Sequence, residues 1–136
     1  MAFKFENLEV WQQALEYIDL VYDLANKLPK NEEFNLKSQI TRAATSIALN
    51  IAEGSTGQSD AEQNRFLGMA IRSLIETVAC LRIIQRRKYL TDGSILDKAD
   101  NQAQLLVKKL HTFRKALTST GKAVREEQAP YDSDES

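Results

Sequence analysis

The stretch from Gln39 to Gly54, QITRAATSIALNIAEG, constrains the fold of this chain more than any other. On a wheel of 100° per residue, Leu36, Ile40, Ala43, Ala44, Ile47 and Ile51 fall within one arc of about 100°, the width of a core-facing stripe. A second arc holds the small residues Thr41, Thr45, Ala48 and Ala52, a shallow ridge that lets a neighbouring helix approach closely. A third is polar: Gln39, Arg42, Ser46, Asn50 and Glu53. A helix carrying so little charge is expected at the centre of a bundle.

Gly54 stands where a left-handed residue would close this helix. Ser59 and Glu62 then have the S-x-x-E spacing of a capping box, with a short polar turn over residues 55–58 between. Two helices joined in this way run antiparallel.

The same period recurs on either side. Over residues 7–27, Leu8, Trp11, Leu15, Ile18, Tyr22 and Ala25 step by three and four, the seam expected of a first helix, which Pro29 terminates. Phe34 is placed to plug the bundle end, and Asn35 to cap the second helix. A third helix over residues 60–88 carries Leu67, Ala70, Ile71, Leu74, Ile75, Val78, Ala79 and Leu81 over roughly half its circumference, more than one core needs. Phe66, Met69, Ile83 and Ile84 lie outside even that arc. This surplus is expected either to form an oligomer interface with another copy of the chain or to be covered by three neighbours within one bundle. A fourth helix over residues 94–117 has its seam at Leu96, Ala99, Ala103, Leu106, Leu110, Phe113 and Leu117. No strand pattern occurs. The reading is an all-α, antiparallel up-down-up-down four-helix bundle over residues 1–118.

The remaining residues, 119–136, carry two cations against five carboxylates, a net of −3, which leaves +2 on the rest of a chain whose total is −1. With few large apolar residues, this segment reads as a disordered acidic tail, solubilising or else partner-binding or self-masking. A chain of 136 residues supports one core without disulfides or metal. Its single cysteine, Cys80, precludes an intramolecular disulfide, and its single histidine, His111, argues against a His/Cys metal site. Neither a span of about 20 apolar residues nor the h-region of a signal peptide is present. The expectation is a cytoplasmic protein with no membrane association.

Nothing in the pattern builds an enzyme. There is no phosphate-cradling glycine loop, His111 has no sequence-evident catalytic companion, and Cys80 in V-A-C-L reads as a small buried hydrophobe. No cofactor is expected. The stripe Arg42, Ser46, Asn50 and Glu53, with Glu76 on the third helix, reads as a structural hydrogen-bond network fixing register. The topology gathers Lys27, Lys30, Lys37, Arg42, Arg82, Arg86, Arg87 and Lys88 at one pole, against Glu32, Glu33, Asp92 and Asp97. Cations there complement the dipole of the third helix; the alternative is a nucleic-acid-binding surface that contacts phosphates by charge and shape.

Three groups of residues carry a resemblance. They are Phe5-x-x-Leu8-x-x-Trp11; Gln39-Ile40-x-Arg42-Ala43-Ala44-x-Ser46-Ile47-x-x-Asn50-Ile51-Ala52-Glu53-Gly54; and Phe66-Leu67-x-x-Ala70 with Ser73-Leu74-x-Glu76. Over residues 3–118 the chain resembles the bacterial four-helix-bundle proteins named for open reading frames in 23S rRNA intervening sequences. The resemblance implies a homopentameric ring. It also suggests similarity to the accessory variability proteins of diversity-generating retroelements, which bind nucleic acid and a reverse transcriptase through a basic surface. Where that family usually has Gly-Ser, this chain has Arg72-Ser73, which either forbids or redirects a close backbone approach there, or else marks by its added cation a member specialised for RNA. The leading expectation is therefore a non-enzymatic homo-oligomeric scaffold for structured RNA or an RNA/DNA complex. The rival expectation is a protein-interaction adaptor that binds no nucleic acid.

Overall fold

The computed structural model describes residues 3–57 and 59–120. Four helices, α1 (Glu9–Ala25), α2 (Leu36–Gly54), α3 (Asp60–Arg87) and α4 (Ser94–Thr120), form an all-α bundle, with no strand among the described residues. Helices consecutive in sequence pack on one another, and α1 also packs on α4, so α1 and α3 lie diagonally opposite. The α2–α3 contact is the most extensive. The expected acidic tail falls, beyond residue 120, outside the described residues.

In α2 the expected stripe is inside: Leu36, Ile40, Ala43, Ala44, Ile47 and Ile51 are all buried. The helix is not walled in all round, however, because Arg42, Leu49 and Glu53 remain exposed. Gly54 has a different role from the one expected. It is the last helical residue rather than a left-handed stop, and a Cβ on it would sit 2.9 Å from the Cβ of Phe66. Its missing side chain lets α2 and α3 converge.

The seam of α1 is rotated from the expected one. Val10, Ala14, Tyr17, Val21 and Leu24 are buried, whereas Leu15 and Tyr22 are 40% and 44% exposed. Two apolar stripes one residue apart have the same 3,4 spacing, so periodicity cannot choose between them. The core takes the stripe with the small Ala14, leaving Leu8, Trp11 and Ile18 half-buried on its flank.

On α3 the core line runs Leu67, Ala70, Leu74, Thr77, Leu81, Ile84, again in steps of three and four. This corrects the placement of Ile84, which is fully buried in its own bundle and cannot face another copy. Thr77 on the buried face breaks the apolar pattern and hides the true seam. Met69 and Ile83 do remain exposed, joined by Ile75, while Phe66 is half-buried against Gly54. At the start of α3, Ser59 Oγ accepts the Glu62 amide proton as expected, but the Glu62 carboxylate pairs with Arg65 instead of returning to the cap. The helix stops at Lys88, a left-handed residue with φ 58°. The seam of α4 is as expected, with Ala99, Ala103, Leu106 and Leu110 buried.

Candidate nucleic-acid interface

The pole at which α1 passes to α2, and α3 to α4, is organised by one carboxylate. α1 ends at Ala25, short of the expected stop at Pro29, and Pro29 instead leads into a turn whose Glu32 is buried. Glu32 accepts hydrogen bonds from the Leu36 amide at 3.3 Å, Asn35 Nδ2 at 2.9 Å and the Tyr89 hydroxyl at 2.6 Å. Asn35 holds the N-cap position of α2 as expected, but its side chain makes no cap hydrogen bond; the Glu32 carboxylate accepts the Leu36 amide instead, and a carboxylate there also suits the helix dipole. The Tyr89 hydroxyl does most to hold the Glu32 carboxyl below its usual range, helped by the Leu36 amide and Asn35. Arg87 Nε donates in turn to the Tyr89 oxygen at 3.2 Å, with its guanidinium 5.6 Å from the ring centroid. The two connections are thus locked together.

The expected plug is absent from this end. Phe34 is 95% exposed, and Leu28, Tyr89 and Leu90 close the core in its place. Because Glu32 anchors the backbone on one side and α2 begins on the other, there is no slack to fold the Phe34 ring inward.

The eight expected cations divide into two groups. Lys37 pairs with Glu33 at 3.2 Å, Arg82 reaches across to Asp100 on α4 at 2.9 Å, Arg42 turns back onto Ser38 at 2.9 Å, and Arg87 is held by Tyr89. Arg82 and Arg42 are therefore engaged on the flanks of the bundle. Lys27 is exposed at the end of α1, near enough to Asp92 to help lower its carboxyl pKa, although the Ser94 amide does more. Lys30, Arg86 and Lys88 are exposed and have no ion-pair partner among the described residues.

The structural polar network is smaller than expected. Ser73 Oγ donates to Ser46 Oγ at 3.0 Å across the α2–α3 contact, and Asn50 Nδ2 donates to the Ser46 carbonyl and hydroxyl at 2.9 and 3.1 Å. Arg42 bonds elsewhere, and Glu53 and Glu76 point to solvent. Ser73 makes this helix contact while its neighbour Arg72 faces outward, so the arginine leaves the α2–α3 packing intact. Cys80 is buried, and desolvation, with a lesser push from Glu76, raises its thiol pKa and keeps it protonated. Among the described residues no three His, Cys, Asp or Glu side chains group as metal ligands. No helix among them is long and apolar enough to cross a membrane.

Sequence reasoning missed a polarity across the bundle. Between Glu9 and Ala25, α1 has four exposed carboxylates (Glu9, Glu16, Asp19, Asp23) and no basic residue; Glu9 pairs with Lys109 of α4 at 3.0 Å, and the other three form the outward stripe that Leu15 and Tyr22 border. The diagonally opposite face of α3 carries Arg65, Arg72 and Arg86, seven and fourteen residues apart and hence nearly in line, beside Met69, Ile75 and Ile83; the exposed Glu76 lies among them, and Arg65 is paired with Glu62 at 3.1 Å. Arg65 and Arg72 border an open groove of about 500 Å³ completed by Arg114 of α4. Asn64 Oδ1 fixes Arg114 at 2.8 Å, and the guanidinium lies over Gly68, about 3.3 Å from where a Cβ would be. Signed charge along the two helices, counted face by face, would have revealed this.

The bundle is similar to a crystal structure of a protein of unknown function from the S23 ribosomal protein family of Bacteroides thetaiotaomicron. The TM-score is 0.71 at 29% identity, over 78% of this chain and 98% of that one. No curated protein matches the sequence. The sequence model of the 23S rRNA-intervening sequence proteins matches residues 6–112, which takes in all of α1, α2 and α3 and most of α4, and the chain belongs to that family.

Proposed function

We propose that this chain is a non-enzymatic scaffold that assembles with copies of itself into a closed ring and holds structured RNA on the basic pole. The observation that carries the reading is the group Lys30, Arg86 and Lys88, which project from one end of the bundle with no acidic partner among the described residues. Cations that make no ion pair among the described residues are available to displace counterions from phosphates. A ring places one such pole per subunit on the same face and multiplies the effect.

The polarity between α1 and α3 supports the assembly. An acidic face and a basic face on opposite sides of one molecule suit a head-to-tail contact, and such contacts close into rings when the rotation permits. Leu15 and Tyr22 on one side, and Met69, Ile75 and Ile83 on the other, supply apolar area within the charged surround. Five subunits, and a reverse transcriptase as protein partner, are proposed on the family resemblance alone.

Titration against a structured RNA at two salt concentrations tests the reading. Affinity is expected to fall steeply with salt, and Arg86→Glu with Lys88→Glu to weaken binding and flatten that dependence. Absent binding at low salt, or binding indifferent to salt, overturns it. A protein partner captured equally by wild type and this double variant favours the adaptor.

A further inference from the structure

We infer that Phe34 is a stacking platform for an unpaired nucleobase of the bound RNA; the inference rests on the RNA-binding reading above and gives it a preference for unpaired over duplex RNA. A phenyl ring 95% exposed gains almost nothing from folding, so its position needs another account. The ring is not on a loose loop. Three hydrogen bonds converge on Glu32, two residues away, from Asn35, Leu36 and Tyr89, and α2 begins two residues after the ring. The backbone on both sides of Phe34 is therefore held, and the side chain is presented outward in advance of any ligand. Preorganisation of this kind removes much of the ordering cost of binding.

The surroundings identify the occupant. Lys30 lies in the same turn as Phe34, whereas Lys37 in the first turn of α2 is paired with Glu33, next to Phe34, at 3.2 Å. Through Tyr89 and Glu32 the turn is tied to the end of α3, which brings Arg86, Arg87 and Lys88 to the same pole. A protein partner would be met by a contiguous apolar patch. The other exposed apolar residues lie elsewhere: Leu15, Tyr22, Leu49, Met69, Ile75, Ile83 and Leu105 along the helices, and Phe3 before α1. One isolated aromatic face at a pole that also presents the unpaired Lys30, Arg86 and Lys88 among the described residues matches a single base flanked by phosphates. Stacking on an aromatic side chain with basic residues tracking the backbone is the general means by which single-stranded nucleic acid is held. In an RNA helix the bases are already stacked and paired, so only loops, bulges and ends can offer one.

The test uses the full chain and two RNAs of equal length and charge, a hairpin with 2-aminopurine in its loop and a blunt duplex. Wild type is expected to prefer the hairpin and to change the 2-aminopurine fluorescence on binding. Phe34→Ala is expected to lose roughly 5- to 100-fold in hairpin affinity. It should leave duplex affinity, salt dependence, melting temperature and molar mass unchanged, while Phe34→Trp restores hairpin binding. If Phe34→Ala binds the hairpin as wild type does, stacking is overturned while RNA binding stands. If wild type binds neither RNA, the RNA reading itself fails and this inference with it. If Phe34→Ala changes the molar mass or the melt, the ring is a subunit or structural contact and the inference is overturned.

Discussion

The Tyr17 hydroxyl and Thr77 Oγ1 lie 2.7 Å apart, both fully buried, and join α1 to α3 across the diagonal of the bundle. Thr77 donates its own proton to the Leu74 carbonyl at 2.6 Å, so Tyr17 is the donor in the diagonal bond. This pair fixes the rotation of α1: with Tyr17 inward, Leu15 and Tyr22 must face out.

Removing either partner therefore has unequal costs. Thr77→Val strands the buried Tyr17 hydroxyl and is expected to cost about 1–3 kcal/mol, whereas Tyr17→Phe leaves Thr77 bonded to Leu74 and costs about 0.5–1.5 kcal/mol. The double variant should fall well short of the sum. Denaturant unfolding of all four proteins gives the coupling energy, and strict additivity would show that the bond does not set the packing.

Alkaline pH probes the same group. Burial pushes the Tyr17 phenol up to about 12 from an ordinary 10.0. The folded state holds the proton more tightly, so Tyr17 contributes its full stabilisation below pH 10 and loses it as pH rises through 12. Wild type should lose about 2 kcal/mol more than Tyr17→Phe between pH 9 and 11.5. Unfolding curves of the two proteins that shift in parallel over this range would contradict the assignment.

Acid acts through Glu32. Its carboxyl is held below the usual range, chiefly by Tyr89, so its stabilisation is complete above the ordinary glutamate pKa and is lost as pH falls through the lowered value. The stability gap between wild type and Glu32→Gln is expected to be widest near neutrality and to close on acidification. Tyr89→Phe should move the Glu32 titration, followed by carboxyl NMR, back towards ordinary values.

Two helix-contact glycines differ in what a methyl group would meet. At Gly54 the added Cβ would lie 2.9 Å from the Cβ of Phe66 and 3.4 Å from the Gln63 carbonyl oxygen, neither of which can yield without moving α3. Gly54→Ala is expected to destabilise by about 1–3 kcal/mol. At Gly68 the neighbour is the Arg114 guanidinium at 3.3 Å, the far end of a flexible side chain that can give by a few tenths of an ångström while keeping its bond to Asn64. Gly68→Ala should be neutral or gain up to about 1 kcal/mol from helix propensity. Thermal melts that rank the two variants in the opposite order would refute this account of the α2–α3 contact.

The bundle was legible because its signal is redundant: α2 and α4 each carry one unbroken stripe, and Ser59 announces α3 by its cap. The errors share one cause, competition between two stripes of equal spacing. On α1 the choice was decided by the hydrogen bond from Tyr17 to a residue 60 positions away, which no local pattern contains. On α3, Thr77 inside and Ile75 outside reversed the usual polarity, and Ile84 was misplaced with them. Topology alone placed the basic pole, but it could not show which cations are consumed. Asp100 neutralises Arg82 from another helix, and Tyr89 claims both Glu32 and Arg87. The exposure of Phe34 follows from that same tertiary knot.

Assembly is tested by exchanging charge between the two faces. If the acidic side of α1 meets the basic side of α3 in the next subunit, Asp19→Lys with Asp23→Lys should place like charges in contact and weaken association at least tenfold, since such juxtaposition costs several kcal/mol. Arg65→Glu with Arg72→Glu should do the same from the other side. Combining all four substitutions in one chain restores opposite signs at every contact of a ring, so light scattering should recover the wild-type mass. An α3-to-α3 contact behaves differently: the α1 substitutions then have no effect, and they cannot rescue the α3 pair. Wild type that scatters as a monomer at micromolar concentration removes the ring, and with it the multiplication of the basic pole on which tight RNA binding depends.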